Sequence, residues 1–131
     1  MESNLKRHMV ASVKAAGGYA RRLEDQYGVG IFDLILIPKG LPVFFTEVKI
    51  IRGDVFGPSD RQMVEMMQLE QASDGNRYFY PTIIGWRAQV YYFHKAVPSV
   101  NRKDCFSITS GPKMSFNDQL VQYYHSIRGD K

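Results

Sequence analysis

The chain has 131 residues, 44% of them hydrophobic and 23% charged, with a formal net charge of +4. That balance suits one folded domain over residues 1–131 and excludes intrinsic disorder, and apolar runs of only four residues exclude a membrane helix. Cys105 is the single cysteine, which excludes intrachain disulfides and multi-cysteine zinc sites and fits a reducing, cytoplasmic setting.

Leu5, Met9, Val13 and Ala16 recur at helical spacing over residues 3–16, with Lys6, Arg7 and Lys14 turned elsewhere. The chain is therefore expected to open with an amphipathic helix, not a secretory signal, and Gly17 and Gly18 end it. Residues 19–25 read as a short strand and 27–30 as a turn. Residues 31–37 and 41–51 are rich in β-branched and aromatic side chains and flank Pro38-Lys39-Gly40-Leu41-Pro42, which predicts a β-hairpin. Residues 52–58 form a Gly-containing loop, and a helix runs from Ser59 to about Ser73, where Ser59 and Gln62 are spaced as a capping box.

Residues 80–86 and 89–94 read as two further strands joined tightly near Arg87-Ala88, with Tyr91, Tyr92 and Phe93 assigned to the core. Met63, Met66 and Met67 are expected on the inner face of the preceding helix. Residues 98–113 look irregular. Phe116, Leu120, Tyr123, Tyr124 and Ile127 mark a last amphipathic helix over about 115–128, whose apolar stripe suits either a homodimer interface or a cap on the chain's own core.

Placing Lys39–Leu41 at the hairpin tip pairs residues whose numbers sum to 80: Ile37 with Val43, Ile35 with Phe45, Asp33 with Glu47. Directly opposed residues have Cβ atoms only ~4.5–5.5 Å apart, so two carboxylates there repel unless a cation sits between them. Lys49 lies two residues beyond Glu47 and so shares its face. Two acids and a lysine on one patch suit metal-assisted attack on a phosphodiester, with Mg²⁺, or Mn²⁺ as a substitute, polarising the phosphate and acidifying a bound water. Lys49 would orient that water or stabilise the transition-state charge. The same three residues also fit a solvated ion pair at a sheet end.

The run Gly30-Ile31-Phe32-Asp33-Leu34-Ile35-Leu36-Ile37, followed after thirteen residues by Glu47-Val48-Lys49, resembles the core signature of the PD-(D/E)XK nuclease superfamily. The leading helix, the Arg22-Leu23-Glu24-Asp25 strand, the Gly30 turn and Gln62 after a Gly-rich loop resemble in particular its VRR-NUC branch, which is related to Holliday junction resolvases. The resemblance covers about residues 2–95, with Phe32 standing where the family usually has a structural proline. It implies a restriction-endonuclease-like α/β fold, a mixed sheet of about five strands flanked by helices. It further implies that Asp33, Glu47 and the Val48 carbonyl bind metal, that Lys49 assists catalysis, and that Gln62 lies near the active centre. The capping box explains Gln62 equally well. The family also supplies an acid from the first helix, for which Glu2 is the candidate and Glu24 the competitor.

Arg22, Arg52 and Arg61 flank the site in sequence, with Lys6 and Arg7 on the first helix beyond them; these are the candidate nucleic-acid-binding residues, though each also fits plain surface charge. His94 and Cys105 lack the context of a nucleophile pair. Gly28 and Gly30 precede a strand, the wrong context for a dinucleotide fingerprint. The expected activity is a metal-dependent DNA endonuclease acting on flap or junction DNA as a possible homodimer. Two alternatives stand: a catalytically silent nucleic-acid-binding module of the same fold, and a nuclease subunit targeted by a partner protein.

Overall fold

The computed structural model describes residues 1–23, 32–73 and 79–128. Helix α1 (Glu2–Ala15) leads into strands β1 (Tyr19–Arg22), β2 (Leu34–Ile37), β3 (Val43–Ile50) and β4 (Val55–Phe56). Helix α2 (Asp60–Ser73), strands β5 (Phe79–Arg87), β6 (Val90–Lys95) and β7 (Val100–Asn101), a 3₁₀ turn at Arg102–Asp104 and helix α3 (Phe116–Arg128) follow. No helix among the described residues is long and apolar enough to cross a membrane.

The main sheet has five strands in the order β1-β2-β3-β5-β6. Three of its pairings are antiparallel, and β3 with β5 is parallel. That single parallel step follows from α2, because parallel neighbours need a long crossover. The hairpin carries the register read from the sequence, Leu34 opposite Thr46, Ile35 opposite Phe45 and Leu36 opposite Phe44. At its tip the Leu41 N–H donates to the Pro38 carbonyl at 2.9 Å. Gly40 has φ +78°, the left-handed conformation that the third position of a type II turn demands.

The alternation of β2 and β3 divides two hydrophobic layers. Leu34, Leu36, Phe44 and Val48 face α1 and α3, where they join Leu5, Met9, Val13, Phe116, Leu120, Tyr123 and Tyr124 in the larger core. Ile35 and Phe45 point the other way, against Met66, Met63 and Leu69 of α2. Further along that second face Ile83 and Tyr92 pack under Ile51, Phe56 and Val100.

Several expectations need correction. The loop at 52–58 and the irregular stretch at 98–113 hold β4 and β7, which pair as a separate two-stranded sheet. Strands of two residues are too short for periodicity to reveal. The apolar stripe of α3 caps the chain's own core, so it is not available as a dimer interface; Ile127, at its far end, is exposed. Met67 is likewise exposed, because it sits about 100° round the helix from buried Met66. The β5–β6 turn places Ala88 and Gln89 at φ 51° and 67°, left-handed positions that Asn-Gly would more often fill. The strand expected over 19–25 is described only to its β1 portion, and Glu24 and the 27–30 turn lie outside the described residues.

Candidate active site

Asp33 immediately precedes β2, and Glu47 lies within β3 one position beyond the last ladder pair of the hairpin. Both are buried, at 5% and 1% exposure, although nothing in their side chains favours leaving water. They meet closely enough to share a proton. The Val48 N–H donates to Asp33 Oδ2 at 2.9 Å and fixes that carboxylate's orientation. The N–H and C=O of one strand residue leave on the same edge, so the Val48 carbonyl also faces the edge that Asp33 occupies.

The electrostatics of the pair are those of a site short of positive charge. Burial raises the Glu47 pKa far above the ordinary carboxylate range, and hydrogen bonding and repulsion from Asp33 add to the rise. Lys49 and Lys6 act in the opposite direction. Among the described residues, Glu47 Oε2 is buried with no hydrogen-bond partner. A buried, unpartnered carboxylate oxygen beside a second carboxylate is what a hard divalent cation would satisfy. No group of three or more His, Cys, Asp and Glu gathers among the described residues; there Asp33, Glu47 and the Val48 carbonyl are the oxygen donors that could hold such a cation.

Lys6 was expected among the nucleic-acid-facing cations, and the structure corrects this. It is buried at 6% exposure, with its ammonium 3.5 Å from Asp33 Oδ1 and 3.2 Å from Glu2 Oε1. The sequence carried a signal for the second of these contacts alone, since Glu2 and Lys6 are spaced i,i+4. Glu2 is thus brought near the carboxylate pair, with Lys6 between it and Asp33.

Gln62 occupies the capping box: its Oε1 accepts from the Ser59 N–H at 3.0 Å and Oγ at 2.9 Å, and its own N–H donates to Ser59 Oγ at 3.2 Å. Arg22 donates to Ser3 Oγ at 3.1 Å, joining β1 to the start of α1. Arg7, Arg52 and Arg61 are exposed. Arg52 lies just beyond β3, on the segment that leads into β4. Arg102 pins that segment: it donates to Asp54 Oδ1 at 2.7 Å through Nη2, and its N–H donates to the Asp54 carbonyl at 2.7 Å. Arg87 donates to the Gly53 carbonyl at 2.7 Å from the other side. Cys105 is half-buried, and burial aided by Asp104 pushes its thiol up to about 11, the condition of an unreactive cysteine.

No family model matches the chain, and no curated protein matches it in sequence. Among solved structures the fold is similar to that of Hjc, a Holliday junction resolvase from the archaeal hyperthermophile Archaeoglobus fulgidus. The TM-score is 0.56 at 12% identity, over 92% of this chain and 98% of that one. With its mixed five-stranded sheet flanked by helices, the chain has the restriction-endonuclease-like α/β fold.

Proposed function

We propose that this chain is a metal-dependent DNA endonuclease, a VRR-NUC-like member of the PD-(D/E)XK superfamily, selective for branched or flapped DNA. The observation that carries this reading is the buried Asp33–Glu47 pair at a strand end, with an unpartnered carboxylate oxygen and Lys49 in electrostatic reach. Similarity of fold to a junction resolvase supports the substrate class. A surface ion pair would not bury both acids, and a silent binding module has no use for carboxylates beside phosphate.

Asp33, Glu47 and the Val48 carbonyl would hold Mg²⁺ or Mn²⁺, which supplies charge neutralisation at the phosphate and a more acidic bound water. The chain provides the rest. Its Val48 N–H keeps Asp33 oriented, and burial lowers the local dielectric so that each charge acts more strongly. Lys49 keeps an ammonium near Glu47, where it can steady the added negative charge of a pentavalent phosphorus. Arg52 and Arg61, both exposed, would bind flanking phosphates, and Arg22 and Arg7 would extend that set.

Linear, flapped and four-way junction DNA should be incubated with the protein in Mg²⁺, Mn²⁺ or EDTA, beside Asp33→Asn. Metal-dependent cleavage that prefers the branched substrates and is lost in the variant is expected. Equal cleavage by the variant overturns the site, and binding without cleavage under every condition favours the silent module. Cleavage that requires an added host extract would favour the partner-targeted subunit. A homodimer, should one form, must use a surface other than the apolar stripe of α3.

A further inference from the structure

Lys6 is the one site residue whose expected and observed places disagree outright. Its ammonium is shared between two carboxylates of unlike exposure: Asp33, whose side chain is 6% exposed, and Glu2, at 44%. Asp33 cannot turn to suit a newcomer, because its Oδ2 is tied to the Val48 N–H. Lys6 stands 3.5 Å from the other oxygen, Oδ1, where a cation drawn to the pair would meet it. A divalent ion at Oδ1 would repel the ammonium strongly in so dry a place. Glu2, one helical turn away, gives that ammonium somewhere to go.

We infer that Lys6 sets the affinity of the Asp33–Glu47 pair for a divalent cation, and that Glu2 is a positioning residue drawing the Lys6 ammonium off Asp33. This rests on the nuclease reading of the same site. Lys6 acts as a built-in competitor, and Glu2 as the anchor that relieves the competition. Charge alone fixes the directions: removing Lys6 makes the site more negative, and removing Glu2 leaves the ammonium to Asp33. A purely structural role for the two residues predicts that both substitutions weaken the site.

Calorimetric Mn²⁺ titration of the full chain, at fixed pH and ionic strength, tests this with Lys6→Met, Glu2→Gln and the double variant. Lys6→Met should bind Mn²⁺ roughly tenfold more tightly than wild type, and Glu2→Gln severalfold more weakly, as a Coulombic coupling of this order implies. In the Lys6→Met background, Glu2→Gln should have no further effect, because Glu2 acts only through the lysine. Circular dichroism identifies any variant that fails to fold, and Glu2→Gln, at a half-exposed position, keeps the test alive should Lys6→Met do so. Unchanged or weaker binding by folded Lys6→Met overturns the inference, as does an undiminished effect of Glu2→Gln in the double variant. If wild type binds no Mn²⁺, the nuclease reading falls with it; if wild type binds and only the variants disagree, the reading survives.

Discussion

Glu47→Gln is expected to make the metal-free protein more resistant to alkaline conditions while abolishing its response to divalent cations. Glu47 is almost wholly buried, and its folded-state pKa is raised by burial first and by Asp33 second. Above the ordinary value of 4.5 the unfolded chain has released this proton, whereas the folded chain still holds it. The group therefore contributes stability that is present in full below pH 4.5 and lost as pH rises through the folded pKa. The amide of the variant does not titrate and loses nothing. One proton corresponds to at most ~1.4 kcal/mol per pH unit, so between pH 6 and 8 wild type should fall behind Glu47→Gln by up to ~2.7 kcal/mol. For a chain of this length that is up to roughly 10 °C in Tm.

Thermal or urea unfolding of both proteins in EDTA, at half-unit pH steps, measures the difference directly. Repeating the series with Mn²⁺ should show wild type gaining stability, and gaining more at higher pH, since the cation must displace the shared proton. Glu47→Gln should gain nothing. Parallel pH slopes for the two proteins in EDTA, or an equal Mn²⁺ gain in both, would refute the reasoning.

Three further outcomes follow from other parts of the molecule. Gly85 faces Lys49 across the β3–β5 ladder, and a Cβ there would run into the Ile51 side chain and the Phe56 ring; Gly85→Ala should cost ~1–3 kcal/mol in urea unfolding, and an unchanged midpoint would show that β4 is not held against the sheet as described. Replacing Arg52 and Arg61 together by Ala should weaken DNA binding and reduce the slope of log K against log salt by about 1–2, with Mn²⁺ binding untouched; an unaltered slope would place the phosphates elsewhere. Cys105 should resist iodoacetamide in the native protein at pH 7.5 and react once unfolded, since its raised thiol pKa leaves little thiolate; rapid native alkylation would contradict the burial.

The legible parts of the fold were those with a long period or a covalent constraint. The hairpin register followed from the position of Pro38–Pro42 alone, and that register is enough to bring Asp33 and Glu47 to one place. α1 and α3 followed from apolar stripes at steps of three and four residues, Leu5-Met9-Val13 and Phe116-Leu120-Tyr123. The β4–β7 pairing was illegible because it joins residues about 45 apart through two-residue strands, held by Arg102 and Asp54 rather than by pattern. The misplacement of Lys6 has a similar cause. A lysine on a helix reads as solvated by default, and only the three-dimensional approach of α1 to the end of β2 supplies the carboxylate that draws it inward.

The two layers of the sheet explain how so costly a site is kept in place. Along β3 the residues facing α1 and α3, Phe44 and Val48, are completely buried in the larger core, while Phe45, Glu47 and Lys49 alternate onto the opposite face. A slip of one residue would turn Glu47 and Lys49 into the larger core and expel Phe44 and Val48 from it, at a cost of ~1.5–3 kcal/mol for each buried apolar side chain lost. Packing of Phe44 and Val48 therefore favours this register, and the acids follow it. The meeting of Asp33 and Glu47 is thus specified by the apolar side chains of Phe44 and Val48. Truncating Val48 to Ala should therefore lower stability by ~1–2.5 kcal/mol with metal affinity retained, since its N–H and carbonyl remain, whereas loss of metal binding in a folded Val48→Ala would mean that the side chain, not the register, holds the site.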